Sequence, residues 1–196
     1  MAAMVSQKKQ LRQEMLALRR GLAPGAVAAK GAAIAEQLRR TDAWRRADTI
    51  LSYVTSVDNP DNEVPTRELI AEGLSSGRTV LVPIALRGGV LQWSRLGSFD
   101  DLAPSRFGVL EPREECRLLL EPPEGALCLT PGIAFTRDGY RIGYGGGFYD
   151  RFLARFEGLA VGLAFAEQLI EAFPRQDYDI PVHAVLTDTG CHGVLR

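Results

Sequence analysis

Thr49-Ile-Leu-Ser-Tyr-Val54 is an almost unbroken apolar run without the in–out alternation of a strand that has one wet face. Such a run reads as a strand buried on both sides, the kind found in parallel sheets. Thr79-Val-Leu-Val-Pro83, Ala126 to Leu129, Ala160 to Phe165 and Ala184 to Thr187 are of the same kind, and Val90-Leu-Gln-Trp93 reads as a strand after the Gly88-Gly89 turn. Between the first two runs, Glu63 to Ser75 has helical spacing, with Leu69, Ile70 and Leu74 inward and Gly77 closing it. Strands alternating with helices predict an α/β fold: an open, mostly parallel sheet flanked by helices. Upstream, Leu11, Met15, Leu18 and Leu22 make one apolar stripe on a helix over 6–22, N-capped by Ser6 and ended by Gly21 and Pro24. A second helix carries Val27, Ile34 and Leu38. The prolines at 104, 112, 122 and 123 make 97–125 read as a long crossover loop with little regular structure. No repeat or linker interrupts the chain, so residues 1–196 read as a single domain.

Composition narrows the function classes. A chain of 196 residues with 46% hydrophobic and 24% charged residues is globular. The 23 basic and 24 acidic residues nearly cancel, so no global field favours nucleic acid or a membrane surface, and any anion site must be local. Cys116, Cys128 and Cys191 are odd in number and far apart, which excludes a disulfide framework and a zinc knuckle and suits a reducing compartment. No run of 18 apolar residues occurs, and Met1 to Gln10 lacks a secretory apolar region. A soluble, cytoplasmic protein acting on small molecules is expected.

The chemistry concentrates in Arg137-Asp-Gly-Tyr-Arg-Ile-Gly-Tyr-Gly-Gly-Gly-Phe-Tyr-Asp-Arg-Phe-Leu153. Glycines 143, 145, 146 and 147 lead into a helix with Phe148, Phe152 and Phe156 at apolar spacing, which lets backbone approach an anion closely. Arg137, Arg141 and Arg151 bring three guanidinium groups to the same loop. The spacing is neither a Walker A loop nor G-x-G-x-x-G, since Phe148 stands at the third glycine position. Asp150 in the first helical turn suits either the helix dipole or a Mg²⁺ ion, and its position alone weighs the two equally. Lys8 and Arg12 share a helix face and read from spacing as a solvated face, and Glu63 reads as a first-turn acid. Trp93 and Phe107 are expected in the core or packed under loops. His183 and His192 have no metal-ligand spacing, and no nucleophile–base arrangement can be assembled.

Lys8-Lys-Gln-Leu-Arg12, the Glu63 segment before Thr66, Phe107-Gly-Val-Leu-Glu-Pro112, Pro131-Gly-Ile-Ala-Phe135, Arg141-Ile-Gly-Tyr-Gly-Gly-Gly-Phe-Tyr-Asp-Arg151 and Asp179-Ile-Pro-Val182 together resemble the 5-formyltetrahydrofolate cyclo-ligase family. The resemblance runs over nearly the whole chain. Phe148 replaces the first Tyr of the family's usual pair, Thr136 stands where an Asp is common, and Tyr178 replaces a His. The resemblance implies a fold akin to the ribose-phosphate isomerase and CoA-transferase superfamily. It also implies a ligase of one-carbon metabolism that uses ATP as co-substrate, with Mg²⁺ as cofactor, acting as a monomer or weak dimer. By position, it places Lys8, Lys9, Gln10, Leu11, Arg12, Gly143, Tyr144, Gly145, Gly146, Gly147, Phe148 and Tyr149 on ATP. Val54 and Glu63 join Gly146, Gly147, Phe148 and Tyr149 on the folate, Glu63 bonding the pterin. Asp150 and Asp179 would hold Mg²⁺, and Arg141, Asp150 and Arg151 would act at the reacting atoms. The same superfamily fold hosts sugar-phosphate isomerases and acyl-CoA transferases, and a non-catalytic nucleotide-binding module would keep the loop. Glu63, Asp150 and Asp179, which ATP binding alone does not need, favour the ligase.

Overall fold

The computed structural model describes residues 2–106 and 108–195, with side chains from residue 7 onward; Phe107 lies outside the described residues. Helices α1 (Ala2–Arg20), α2 (Pro24–Arg39) and α3 (Asp42–Arg46) precede strand β1 (Thr49–Ser52). Helix α4 (Arg67–Ser75) leads into the hairpin of β2 (Thr79–Leu86) and β3 (Val90–Arg95). Short strands β4 (Leu102–Pro104), β5 (Leu110–Pro112) and β6 (Leu118–Leu119) follow. The second half comprises β7 (Leu127–Thr130), β8 (Ala134–Thr136), β9 (Arg141–Ile142), α5 (Phe148–Leu153), β10 (Leu159–Leu163), β11 (Leu169–Ile170), β12 (Ala184–Thr187) and β13 (Gly190–Gly193).

Eight strands form one sheet in the order β13-β12-β10-β7-β1-β2-β3-β6. The pairings from β12 through β2 are parallel, and the edges β13, β3 and β6 pair antiparallel. The apolar runs therefore supply the predicted mostly parallel sheet. Alternation along each run fills two cores at once, because successive side chains point to opposite faces. Ile50, Leu127, Leu129 and Val161 meet Ile34 and Leu38 of α2, Trp44 of α3 and Leu69 of α4 on one face. Leu51, Cys128, Ala160 and Val185 meet Phe135, Trp93 and Phe152 on the other. Full burial of Cys128 pushes its thiol up to about 12, so it is an inert filler of that core. Among the described residues, no helix is long and apolar enough to cross a membrane.

Several local expectations change. Helix α1 begins at Ala2, so Ser6 lies inside it rather than at its cap. Leu18 is 42% exposed, while its neighbour Arg19 is 1% exposed. Helix α4 starts at Arg67, which leaves Glu63 in the preceding loop; Pro65 disfavours helix at Val64. Strand β2 runs past Pro83 because β1 pairs with it only as far as Leu81, so the missing N–H breaks no ladder on that side. Segment 97–125 is not structureless: β4 and β5 make a two-stranded sheet, and β6 adds an edge to the main one. Helix α5 ends at Leu153, with Phe156 beyond it, packed against Phe152.

Candidate active site

Chain order along the sheet reverses between β1 and β7: β2 follows β1 to one side, and β7, β10 and β12 progress to the other. Open α/β sheets bind ligands at the carboxyl ends of strands around such a reversal. A cavity of about 710 Å³ lies there, with Tyr53 and Val54 after β1 and Pro131 and Gly132 after β7 in its wall. That volume lies within the usual range for small-molecule sites. A smaller hollow of about 150 Å³ at Trp93, Phe152 and Phe156 shares none of its lining.

One group of residues lining the cavity is cationic. Lys8 and Arg12 project from α1 into the wall, not into bulk solvent as spacing implied. Arg12 Nε donates to Gly143 O at 2.7 Å, bringing its guanidinium onto the glycine loop. Lys8 Nζ lies 2.6 and 2.7 Å from the two carboxylate oxygens of Asp179, whose Oδ2 also accepts from the Gln176 N–H at 2.7 Å. The loop, Gly143 to Gly147, takes left-handed backbone at Gly145 (φ 102°) and Gly147 (φ 65°), conformations that favour glycine. Asp150 Oδ1 accepts from Arg141 Nη2 at 3.1 Å and from Ile180 N–H at 3.3 Å. Arg141 Nη1 donates to Ile180 O at 2.8 Å, so α5 and the loop carrying Asp179 are joined at one point. Burial pulls the Arg141 guanidinium below its usual range, and Asp150 opposes that pull.

A second group of lining residues is acidic. Asp61 and Glu63 line the cavity together with Tyr53 and Tyr144. Asn59 fixes the Glu63 backbone from both sides, accepting from its N–H at 2.7 Å and donating to its carbonyl at 2.8 Å. Burial pushes the Glu63 carboxyl up, and the Arg19 guanidinium behind it pulls it back. Tyr149 also lines the cavity, and burial holds its hydroxyl well above its ordinary pKa, hence neutral. That buried neutral hydroxyl is a polar group that the described residues leave unpaired.

The fold thus gathers Lys8, Lys9, Arg12, Val54, Glu63, Arg141, Gly143, Tyr144, Gly145, Gly146, Gly147, Phe148, Tyr149, Asp150 and Asp179 around one cavity. Other sequence expectations fall outside its wall. Gln10 pairs with Glu14 on the exposed face of α1, and Leu11 packs beside Met15 and Ile142. Arg137 is turned away by the β8–β9 turn and meets His192 Nδ1 at 3.2 Å. Arg151 Nη1 donates to Gly146 O at 2.7 Å and Gly89 O at 3.3 Å, bracing the loop from behind.

Three contributors escaped sequence reasoning. Arg19 was hidden behind the apolar Leu18. Glu111, 6% exposed, accepts from Ala85 N–H at 3.1 Å and lines the cavity, although its motif carried no assigned role. Gly89 has φ 77°, and a Cβ there would lie 2.0 Å from Arg151 Nη1 and 2.8 Å from Gly146 O. The Gly88-Gly89 pair gave the signal for a turn but not for its neighbour. Gly89→Val is expected to lower stability by about 1–3 kcal/mol through backbone strain and, if the glycine loop holds phosphates as the sequence resemblance implies, to weaken ATP binding by displacing the Arg151 brace. Melting and ATP titration of the same variant check this; wild-type ATP affinity in a destabilised variant would mean the brace does not shape a phosphate site.

The donor chemistry around Asp150 and Asp179 fits a hard cation. Two carboxylates reach one cavity wall, joined through the Arg141–Ile180 contact, and Mg²⁺ usually takes one or two carboxylates together with substrate phosphates and water. Lys8 is the cation on Asp179.

The sequence model of the 5-formyltetrahydrofolate cyclo-ligase family matches residues 4–188 of this chain. The chain is 33% identical to the 5-formyltetrahydrofolate cyclo-ligase of Escherichia coli (strain K12) over 132 residues, 65% of this chain and 72% of that protein. It is 30% identical to the Haemophilus influenzae 5-formyltetrahydrofolate cyclo-ligase over 147 residues, 72% of this chain and 76% of that one. Its fold superimposes on the NMR structure of Aquifex aeolicus 5,10-methenyltetrahydrofolate synthetase with a TM-score of 0.81 and 29% identity, covering 96% of this chain and 93% of that one.

Proposed function

Because this chain belongs to the 5-formyltetrahydrofolate cyclo-ligase family, we propose that its cavity performs the ATP-dependent cyclisation of 5-formyltetrahydrofolate to 5,10-methenyltetrahydrofolate, releasing ADP and phosphate. The observation that carries this reading is the chemistry of a single cavity. Its wall combines Lys8, Arg12 and the glycine loop with Glu63, Asp150 and Tyr149.

The chemical problem is that a formamide oxygen is both a poor nucleophile and a poor leaving group. Transfer of the γ-phosphoryl group from ATP to that oxygen releases ADP and leaves an iminium-like carbon; N10 of the folate attacks it and loses its proton, and phosphate then departs with the former formyl oxygen. Little covalent chemistry falls to the protein, whose work is alignment and charge neutralisation. Lys8 and Arg12 take the phosphates, and the loop lets them approach backbone N–H groups closely. Glu63 accepts from the N–H donors of the pterin, fixing which way the folate lies. The neutral Tyr149 hydroxyl donates to an oxygen at the junction of the two ligands. Arg141 is held by Asp150 at the edge of the same junction.

Asp150 and Asp179 would hold Mg²⁺, with Lys8 moving from Asp179 to a phosphate oxygen. When bound, the ion supplies charge neutralisation on the transferring phosphoryl group beyond what the cations give. We also propose that the fold belongs to the superfamily of ribose-phosphate isomerases and CoA transferases, a reading supported by the mostly parallel sheet and the cavity at its β1/β7 reversal.

The direct test is absorbance of the methenyl product on mixing purified protein with 5-formyltetrahydrofolate. Product is expected only with both ATP and Mg²⁺. Equal turnover with and without nucleotide rejects the ligase reading.

A further inference from the structure

We infer that Arg19 and Tyr144 are positioning residues for the folate end of the cavity: the buried guanidinium, acting through the Tyr144 hydroxyl and the loop 59–63, holds Glu63 ready to accept the N–H donors of the pterin. The inference rests on the reading of Glu63 as the pterin carboxylate.

Arg19 is among the largest fully buried side chains, yet its hydrogen bonds go to no carboxylate. Nε donates to Asp61 O at 2.6 Å, Nη1 to Gly132 O at 3.0 Å and Nη2 to the Tyr144 hydroxyl at 2.8 Å. Tyr144 in turn donates to Asp61 Oδ2 at 2.7 Å. A buried cation is costly unless negative charge lies nearby. Here the carboxylates of Asp61 and Glu63 lie near enough to feel the guanidinium without a direct bond to it, and Glu63 lines the cavity.

The same network locks the loop geometrically. Asn62 Nδ2 donates to Arg19 O at 3.0 Å and Leu22 O at 3.0 Å, clasping the end of α1. Arg20 pairs with Asp61 Oδ1 at 2.7 Å from the solvent side. One side chain, Arg19, therefore ties α1, the 59–63 loop, the turn after β7 and the glycine loop. These four segments position both substrates, and α1 also carries Lys8 and Arg12.

The groups facing Glu63 are Arg19 from α1, Asp61 from its own loop, Tyr144 from the glycine loop, Tyr53 after β1 and Tyr149 from α5. Burial and Asp61 push the Glu63 carboxyl up, whereas Arg19 and the Tyr144 hydroxyl pull it down. Ionised Glu63 is the better acceptor, so kcat/KM for the folate falls as pH drops through its pKa. Removing Arg19 or the Tyr144 hydroxyl must move that acid limb to higher pH.

The experiment measures steady-state kinetics against pH for Tyr144→Phe, Arg19→Met, Arg19→Lys and Glu63→Gln, with melting temperatures. Tyr144→Phe is expected to raise the folate KM about tenfold, leave the ATP KM within about twofold and shift the acid limb upward. Arg19→Met should raise the folate KM and shift the acid limb more strongly and, because Arg19 also ties α1 and the glycine loop, raise the ATP KM as well, while Arg19→Lys, which keeps the charge, should restore the limb towards wild type. Tyr144 is 56% exposed, so its phenylalanine variant carries the test even if Arg19→Met fails to fold. If Glu63→Gln raises the folate KM but folded Tyr144→Phe and Arg19→Met alter only the melting temperature, the positioning role is overturned and the pterin reading survives. If Glu63→Gln leaves the folate KM unchanged, the pterin reading falls and the inference with it.

Discussion

Asp150→Asn is expected to reduce turnover by about 10²-fold or more and, in the same protein, to lower the melting temperature of the ligand-free state. Sequence position alone offered two separate outcomes. A helix-start acid would cost about 0.3–1 kcal/mol on removal and leave turnover alone, and a metal ligand would do the reverse. The structure joins them, because Asp150 is also the counter-ion of Arg141, a side chain only 3% exposed. Asparagine keeps an acceptor for the Arg141 and Ile180 donors but removes the charge that compensates the buried guanidinium. Loss of a charged hydrogen bond costs about 1.5–3 kcal/mol, which for a domain of this size is roughly 4–10 °C in melting temperature. Asp179→Asn provides the contrast. Its partner Lys8 keeps 16% side-chain exposure against 3% for Arg141, so the cation left without its carboxylate is better hydrated and the cost in stability should be smaller. Rate measured against Mg²⁺ concentration for the two variants separately is the check on the metal role. Half-activity shifted to higher Mg²⁺ in both variants is the expected result; unmoved curves reject the metal assignment while leaving the ligase assignment standing. An unchanged melting temperature in Asp150→Asn would show that Arg141 draws its compensation from elsewhere.

The central strands were legible because a parallel strand covered on both faces must be apolar along its length, and no distant residue alters that requirement. Positions set by long-range partners were not. Leu18 and Arg19 are neighbours on α1, and hydrophobicity favours burying Leu18. Arg19 is buried instead because Asp61, Gly132 and Tyr144, lying 42, 113 and 125 positions away, satisfy its donors. Glu63 is a different case. Pro65 already argued against helix at this point, and a stricter reading would have moved the helix start to Arg67. Prolines misled in segment 97–125, since Pro104 and Pro112 sit in a two-stranded ladder whose outer edges tolerate them. The glycine loop was visible as a site, but three nearby arginines are not three equivalent ones. Arg141 lines the cavity, Arg151 braces the loop backbone, and Arg137 follows a tight turn to the far side.

The glycine loop itself yields the other large effect, and its glycines are expected to fail in different ways. At Gly143 a Cβ would meet no heavy atom within 4 Å, and the residue is absent from the left-handed positions of the loop. Gly143→Ala should therefore fold with wild-type stability or slightly better, as loss of unfolded-chain freedom predicts. Its methyl group nevertheless stands in the cavity wall, so ATP affinity should fall by roughly tenfold if the phosphates lie against this backbone. Gly146 also has no left-handed backbone, so the obstacle there is not φ but the Phe148 ring, 2.6 Å from a Cβ. Gly146→Val must push that ring, itself part of the wall, and both substrates should bind roughly tenfold to a hundredfold more weakly. Gly145→Val and Gly147→Val, at φ 102° and 65°, should instead lose stability first, by about 1–3 kcal/mol. Equilibrium titration of ATP and of 5-formyltetrahydrofolate, on variants whose melting temperatures are known, separates these modes. Gly143→Ala is the decisive member, because nothing in the folded protein objects to it: wild-type ATP affinity in that variant would place the phosphates away from the loop, whatever the other three variants did.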